Sequence, residues 1–183
     1  MLQNAVRAAL LDFEVYKEFR DRAELVLHSV GTVSVTGVTL AVALRYTSPS
    51  TGDGFQNLQM VMVAFSTVLV GWMIWAFVAK ALCNLWGSEA QFRDTMRATG
   101  ISYGPGILIL LTTIPKIGPV VLFIVWVWIL ISVTRAIEVT HNVSLLKAAV
   151  PGFIGWFLAW ILLPVLMLGS FFFTSTDLGS CYI

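Results

Sequence analysis

Few side chains in this sequence could perform acid–base, nucleophilic or metal chemistry. The 183 residues include two histidines, His28 and His141, and two cysteines, Cys83 and Cys181, and these four positions are scattered. A metal centre needs three or four ligands in one place, and the aspartates and glutamates stand at the borders of apolar runs. No Ser-His-Asp, Cys-His or paired-carboxylate arrangement lies within one region, so the sequence predicts neither an enzyme nor a metal site.

His28 is the one candidate for a cofactor ligand, because it stands in the first turns of an apolar run. A single histidine inside a membrane can ligate a haem or a chlorophyll-type magnesium, but it more often bonds to a neighbouring helix. We therefore predict no cofactor and keep pigment or haem binding at His28 as an alternative.

Hydroxyl side chains recur along the first apolar run. Ser29, Thr32, Thr36 and Thr39 follow one another at steps of three, four and three, and Gly37 adds a small residue. In lipid, small residues let helix backbones approach and hydroxyl groups bond across helices. This pattern favours a packing face; a polar strip that lines a path is the alternative.

Glycine and proline mark the expected bends. Gly100, Gly104, Pro105 and Gly106 lie within seven residues, where they preset a bend and allow a close backbone approach. A second helix breaker, Ile-Pro-Lys-Ile-Gly-Pro at residues 114–119, separates two later apolar runs. The candidate packing and bend positions in these segments and in the last apolar run are Gly100, Tyr103, Gly104, Pro105, Gly106, Pro115, Gly118, Pro119 and Pro164.

The composition places these residues in a membrane protein. Hydrophobic residues make up 58% of the chain and charged residues 11%, against roughly 25% charged residues in soluble domains. Too few ionisable groups remain to cover a surface in water. The net charge is +1, and the absence of a basic run argues against a nucleic-acid partner.

A bilayer core of roughly 30 Å needs about 20 apolar helical residues. Four runs are long enough, from about Leu25 to Leu44, Leu58 to Leu82, Ile117 to Ile137 and Leu146 to Phe173. A fifth, from Ile101 to Ile114, would rise only about 21 Å as an α-helix. It could borrow length from the following turn, thin the bilayer, or be re-entrant. We predict a true span and hence an all-α bundle of five transmembrane helices.

The basic residues set the orientation, since cytoplasmic connections carry more Lys and Arg. With five spans, nine of the eleven basic residues fall on one side, in the N-terminal segment and the connections around Arg93 and Lys147, and two on the other. The N-terminus is therefore expected in the cytoplasm and the C-terminus outside. Cys83 and Cys181 then face opposite sides, so no internal disulfide is expected.

The first 24 residues are predicted to form an amphipathic helix. Apolar residues recur at steps of three or four. Such a helix either lies in the cytoplasmic interface or packs on the ends of the bundle. The predicted organisation is thus an interfacial helix over 1–24, a five-span domain over 25–175 and a short outer tail over 176–183.

Three segments resemble a known family. The run Gln-Phe-Arg-Asp-Thr-Met-Arg-Ala-Thr-Gly, Gln91 to Gly100, leads into Ile-Ser-Tyr-Gly-Pro-Gly, and Ile-Pro-Lys-Ile-Gly-Pro follows before a span that contains tryptophan. Together with the lead-in from Leu10 to Phe19, this is similar to the YIP family, the Ypt/Rab-interacting membrane proteins, in a compact bacterial form.

The resemblance implies five spans, a cytoplasmic N-terminus and no catalytic residues. Eukaryotic relatives organise vesicle traffic and contact small GTPases, usually through a longer N-terminal region, so GTPase binding is not expected here. Some bacterial relatives accompany transporters or membrane-stress systems. We expect a non-catalytic scaffold or accessory subunit in a bacterial inner membrane, with the bilayer and other membrane subunits as partners. Lipid handling or permeation is the alternative.

Overall fold

The computed structural model describes residues 2–47, 54–163 and 165–166, and every regular element within these ranges is helical. Pro164, Cys181 and the predicted outer tail over 176–183 lie outside the described residues. The α-helices are α1 (Leu2–Ala9), α2 (Phe13–Asp21), α3 (Val26–Thr47), α4 (Gly54–Leu85), α5 (Phe92–Ile101), α6 (Gly118–His141) and α7 (Leu145–Phe157). Three further helical segments within the described ranges are not α-helical: Ala23–Leu25 and Gly104–Thr113 form 3₁₀ helices, and Leu158–Leu162 forms a π-helical turn.

Four of these helical stretches are long and apolar enough to cross a membrane. They cover Ala23–Thr47, Leu58–Leu85, Gly118–His141 and Leu145–Leu162. Each overlaps one of the four long runs predicted from hydrophobicity; the end of the fourth run, up to Phe173, lies outside the described residues. Their apolar side chains face outward as well as inward, as expected for helices surrounded by lipid.

The fifth predicted helix differs from the expectation. Residues Gly104–Thr113 form a 3₁₀ helix of ten residues, too short to count among the four membrane-crossing helices. A 3₁₀ helix rises about 2.0 Å per residue, so ten residues extend about 20 Å. This is nearly the length of about 21 Å expected for the run from Ile101 to Ile114 as an α-helix. Pro105 contributes to the change, because a proline cannot donate the backbone hydrogen bond that would continue α5.

The N-terminal segment is also not one helix. It consists of α1 and α2, which meet at a turn where Leu11 has a φ of 62°. The two helices fold back on each other and pack against the bundle: Tyr16 donates a hydrogen bond to the carbonyl oxygen of Ala8 at 2.6 Å. We call α1 and α2 together the N-terminal hairpin.

The long helices run antiparallel to their neighbours. Gly37 of α3 packs against Phe65 of α4, and Gly155 of α7 packs against Trp75 of α4. We call the end where α3 begins and α6 ends the proximal end, and the opposite one the distal end. The proximal end also holds the C-terminus of α4 and the start of α7, since Ser88 lies against His141.

The segment from α5 to Thr113 runs in the same direction as α3. Moving along α3, Ser29 contacts Arg97, Thr36 contacts Tyr103 and Thr39 contacts Gly106. The 3₁₀ helix therefore continues from α5 toward the distal end between α3 and α6, which are its two main neighbours. The bundle core contains Trp75, Tyr103, Ile129 and Val133, and a second cluster lies beneath the N-terminal hairpin.

Candidate functional site

The hydroxyl groups of α3 face the segment formed by α5 and the 3₁₀ helix. Ser29 donates to the carbonyl oxygen of Arg97 at 2.7 Å, Thr36 to that of Tyr103 at 3.0 Å and Thr39 to that of Gly106 at 3.0 Å. Thr32 donates within its own helix, to His28. All four side chains are buried, and all four hydroxyl groups donate to backbone carbonyls. Among the described cavities, only the one beside α1 is lined by any of these residues, namely Thr32 and Thr36.

Gly104 and Gly106 stand on either side of Pro105 and face different neighbours. A Cβ at Gly106 would collide with the side chain of Thr36, and one at Gly104 would collide with the carbonyl group of Ala5 in α1. Each glycine thus permits a close approach of the 3₁₀ helix to another helix. The same applies one turn earlier, where Gly100 lies against Ser29 and Trp72.

The second breaker forms the distal turn between the 3₁₀ helix and α6. Lys116 has a φ of 73°, Pro115 and Pro119 are exposed, and Gly118 is buried against the carbonyl group of Thr112. Pro119 stands in the first turn of α6, where a missing backbone donor costs nothing.

An aromatic cluster around Tyr103 joins α4, α6 and the π-helical turn that follows α7. The distance between ring centroids is 6.1 Å for Tyr103 and Trp75, 6.5 Å for Tyr103 and Trp160, and 5.7 Å for Trp126 and Trp160. The tryptophans therefore pack against one another in the core rather than forming belts at helix ends. The indole N–H groups of Trp75, Trp126, Trp156 and Trp160 have no hydrogen-bond partner among the described residues.

His28 lies near the proximal end of α3, half-buried beside Phe19 of α2, with ring centroids 6.4 Å apart. Its Nδ1 atom is buried and has no hydrogen-bond partner within the described ranges. Those ranges hold no group of three or more His, Cys, Asp or Glu side chains that could bind a metal ion. Cys83 is buried at the proximal end of α4.

The N-terminal hairpin is held by charged side chains on its outer surface. Arg7 pairs with Asp12 at 2.7 Å and approaches Glu18 at 3.7 Å. The hydrogen bond from Arg7 lowers the pKa of Asp12 below its ordinary value of 3.8. On the inner surface, burial raises the pKa of Tyr16 above its ordinary value.

The hairpin leaves an apolar groove of about 230 Å³ between α1, α3 and the 3₁₀ helix, which we call the α1 groove. Its lining includes Leu2 and Val6, which are exposed, together with Thr36, Pro105 and Trp128. The indole nitrogen of Trp128 donates to the carbonyl oxygen of Ala9 at 2.8 Å, which fastens the end of α1 to α6.

Arg97 is a buried charge, with 8% of its surface exposed. Its guanidinium group donates to the carbonyl oxygens of Phe19 at 2.9 Å and Arg20 at 2.6 Å, and it pairs with Asp94 at 2.6 Å. It therefore caps the C-terminus of α2, where the helix dipole is negative. The sequence predicts only that Arg97 belongs to a basic cytoplasmic connection.

A polar cavity of about 490 Å³ opens at the proximal end; we call it the proximal pocket. Residues of α2, the α4–α5 connection, α5, the end of α6 and the α6–α7 connection line it. His141 is buried in its wall, with Nδ1 2.7 Å from the hydroxyl of Ser88 and Nε2 3.0 Å from that of Thr95. Both ring nitrogens are thus occupied by hydroxyl groups, which orient the imidazole.

The structure is thus a bundle that includes four helices long and apolar enough to span a membrane, and one of its three described cavities is polar. A comparison with protein families matches residues 14–168 to the Yip1 domain. The chain belongs to the YIP family. The match covers 155 of the 183 residues, from 14 to 168 inclusive, and confirms the resemblance of the quoted segments. Searches among curated proteins and among solved structures give no match.

Membership makes this chain a YIP-domain membrane protein with transmembrane helices, from a family that is generally non-enzymatic. The matched range begins in the first turn of α2 and includes α3 to α7, the hydroxyl contacts of α3 and the proximal pocket. Helix α1 lies outside the matched range and contacts it through Ala5 at Gly104, Ala8 at Tyr16 and Ala9 at Trp128.

Two features of this YIP domain were missed from sequence. The contact between Ser88 and His141 joins residues 53 positions apart, and the contact between Arg97 and Phe19 joins residues 78 apart. No local periodicity links such positions. The only available signal was the polar character of Ser88 and Thr95 beside apolar helices, and it did not identify their common partner.

Proposed function

We propose that this YIP-family protein is a non-catalytic scaffold or accessory subunit of a larger membrane assembly. The observation that carries the proposal is the set of bonds from Ser29, Thr36 and Thr39 to backbone carbonyls of the neighbouring segment. Hydroxyl groups used in this way fix helices to one another and are not free to guide a solute. The aromatic cluster around Tyr103 adds to the same rigid core.

The proposal includes five crossings, with the proximal end in the cytoplasm. The parallel course of α3 and the 3₁₀ helix supports a third crossing by Gly104–Thr113, although an extension of about 20 Å requires a locally thin bilayer or help from the adjoining turns. The excess of Lys and Arg in the proximal connections supports the orientation. A bacterial inner membrane is the proposed location.

The N-terminal hairpin is proposed to lie at the cytoplasmic interface. Leu2, Val6, Leu10 and Phe13 expose apolar side chains, while Val15, Tyr16 and Phe19 are fully buried against the bundle. The hairpin thus combines both alternatives left open by the sequence: α2 packs on the bundle, and the outer side of α1 offers an apolar surface to the acyl chains.

Other membrane proteins are the proposed partners, and a small GTPase is not. The test is purification of the full chain in a mild detergent after crosslinking in intact membranes, followed by native mass spectrometry. We expect one or a few partners in fixed stoichiometry with the chain. The control is an unrelated polytopic protein expressed at the same level in the same cells. A chain that always runs as a monomer, or partners shared with the control, would contradict the proposal.

Lipid handling is a second candidate function, favoured by the α1 groove. The groove is almost entirely apolar and lies beside the Gly104–Pro105–Gly106 bend. Reconstitution into liposomes with fluorescent phospholipids tests it: scrambling that is slowed by Ala9→Leu, which narrows the groove, and not by Ala23→Leu on the exposed surface would favour this function. Absence of scrambling by the unmodified chain dismisses it.

A further inference from the structure

The proximal pocket has the dimensions of a ligand site. Its volume of about 490 Å³ falls within the range of roughly 300–1,000 Å³ that is usual for small-molecule sites. None of the helix contacts that support the proposed scaffold uses this cavity. It lies between the end of α2 and the two proximal connections of the bundle.

The pocket is acidic although the proximal connections around it are basic. Its lining contains one guanidinium group, Arg20, and three carboxylates, Asp21, Glu89 and Asp94; with Arg97, the ion-pair partner of Asp94, the formal charge is 2 − 3 = −1. Arg20 is already paired with Asp21 at 2.7 Å, and Asp94 with Arg97. Glu89 has no ion pair or hydrogen bond among the described residues. The surplus charge favours a cationic ligand.

A buried hydroxyl group in the same wall lacks a partner. Thr140 is 4% exposed, lines the pocket, and its Oγ1 atom makes no hydrogen bond within the described part of the chain. A buried polar group without a partner is destabilising, and a ligand that enters the wall of the pocket far enough to reach Oγ1 would supply the missing bond. The neighbouring His141 cannot do so, because Ser88 and Thr95 occupy both of its ring nitrogens.

The available groups suit an organic cation better than a metal ion. The described residues contain no cluster of three or more ligating side chains close enough to hold a metal. A primary ammonium group instead donates three hydrogen bonds, which carboxylates and a hydroxyl can accept. Trp86, also in the lining and 38% exposed, offers an aromatic face that attracts cations.

We propose that the proximal pocket binds a primary ammonium group, with Thr140 and Glu89 as acceptors and Trp86 as an aromatic wall. The ammonium group belongs either to a soluble amine or to the headgroup of an ethanolamine phospholipid in the adjacent leaflet. This inference does not depend on the scaffold function, since ammonium binding needs no second subunit.

Ethylammonium chloride is the probe, added to the full chain in phosphatidylcholine nanodiscs while its thermal midpoint is recorded. We expect a saturable increase that sodium chloride at the same ionic strength and ethanol at the same concentration do not produce. Thr140→Val should weaken binding about 3- to 10-fold, the effect of one ordinary hydrogen bond. Glu89→Gln should weaken it about 10-fold, as expected for a charge-assisted contact.

Thr140→Val keeps the shape of the side chain and breaks no existing bond, so its fold should be intact without ligand. Glu24→Gln is the matched control, because Glu24 is exposed and outside the pocket, and it should bind normally. The proposal is overturned if ethylammonium acts no differently from sodium chloride, or if Glu24→Gln weakens binding as much as Glu89→Gln.

The lipid composition of the nanodiscs distinguishes the two sources of the ammonium group. If the headgroup of phosphatidylethanolamine occupies the pocket, its inclusion should raise the ethylammonium concentration needed for half-saturation. If a soluble amine is the ligand, the half-saturation point should stay the same. A chain that binds ethylammonium but purifies only as a monomer would overturn the scaffold function and leave this inference standing.

Discussion

The hydroxyl group of Thr39 lies 3.0 Å from the carbonyl oxygen of Gly106 and 2.8 Å from that of Thr36 in its own helix. One hydroxyl group thus connects α3 to the 3₁₀ helix at a glycine that has no side chain to separate them. Backbone carbonyls have no water partners in the hydrocarbon region. The contact therefore explains how a short segment with irregular hydrogen bonding is accommodated inside an apolar bundle.

Replacing both hydroxyl groups with methyl groups should loosen this connection. We expect Thr36→Val/Thr39→Val to lower the free energy of unfolding by about 1 to 2 kcal/mol, since interhelical hydrogen bonds in membranes average about 0.6 kcal/mol each. Thr113→Val is the control, because Thr113 bonds only to Leu110 in its own helix. Unfolding in a graded detergent series measures the difference, and equal losses in both variants would refute an interhelical role.

Gly106 should tolerate no side chain. Gly106→Ala is expected to cost about 1–3 kcal/mol, the usual effect of overpacking, because the added methyl group would collide with Thr36. Gly71→Ala is the milder comparison: its methyl group would stand 3.1 Å from the Cβ of Ala159, a tight contact that needs a smaller shift, so it should cost less than Gly106→Ala. Thermal midpoints in one detergent compare them, and a neutral Gly106→Ala would show that the two helices are further apart than described.

Arg97 should not be replaceable by lysine. A lysine keeps the charge but not the planar fork that reaches Phe19, Arg20 and Asp94 together, so Arg97→Lys should cost about 2 to 3 kcal/mol through lost charge-assisted bonds. Hydrogen exchange of residues 13–21 should accelerate in this variant. Arg93→Lys, at an exposed position, should leave exchange unchanged; protection of α2 that survives in Arg97→Lys would exclude the capping role.

Hydrophobicity predicted the four long spans because burial in lipid depends on composition averaged over some twenty residues. It could not predict the 3₁₀ geometry after Gly104, which depends on Pro105 and on contacts with Thr36 and Ala5 from distant segments. The turn at Leu11 was missed for a related reason: steps of three and four continue through it, and tertiary contacts of α1 and α2 decide the break. The hydroxyl spacing on α3 located the contact surface, but not its partner.

Acid should weaken the N-terminal hairpin. The pKa of Asp12 is lowered in the folded protein, chiefly by its hydrogen bond with Arg7, so its stabilising effect is complete above the ordinary pKa of 3.8 and disappears as the pH falls through the lower folded value. The measurement uses spin labels at Gln3→Cys and Leu27→Cys in a chain lacking Cys83 and Cys181. We expect the distribution of distances between the two labels to broaden below about pH 4.

Asp12→Asn retains a side chain that can cap α2 but removes the ion pair with Arg7. Its label distances should be broad at neutral pH and should not change further in acid. Glu14→Gln, which affects only the pair with Lys17, should keep the acid response of the unmodified chain. If Asp12→Asn responds to acid as the unmodified chain does, another group controls the hairpin.

The five-crossing arrangement requires Gly104–Thr113 to cross the bilayer, and the connections on either side of this segment test the crossing directly. Glu89→Cys, before the segment, and Lys116→Cys, after it, each in a chain lacking Cys83 and Cys181, are treated in intact cells with a thiol reagent that cannot cross the membrane. Five crossings with a cytoplasmic proximal end predict that Lys116→Cys reacts and Glu89→Cys reacts only after the cells are opened. Reaction of both in intact cells, or of neither, would contradict the arrangement.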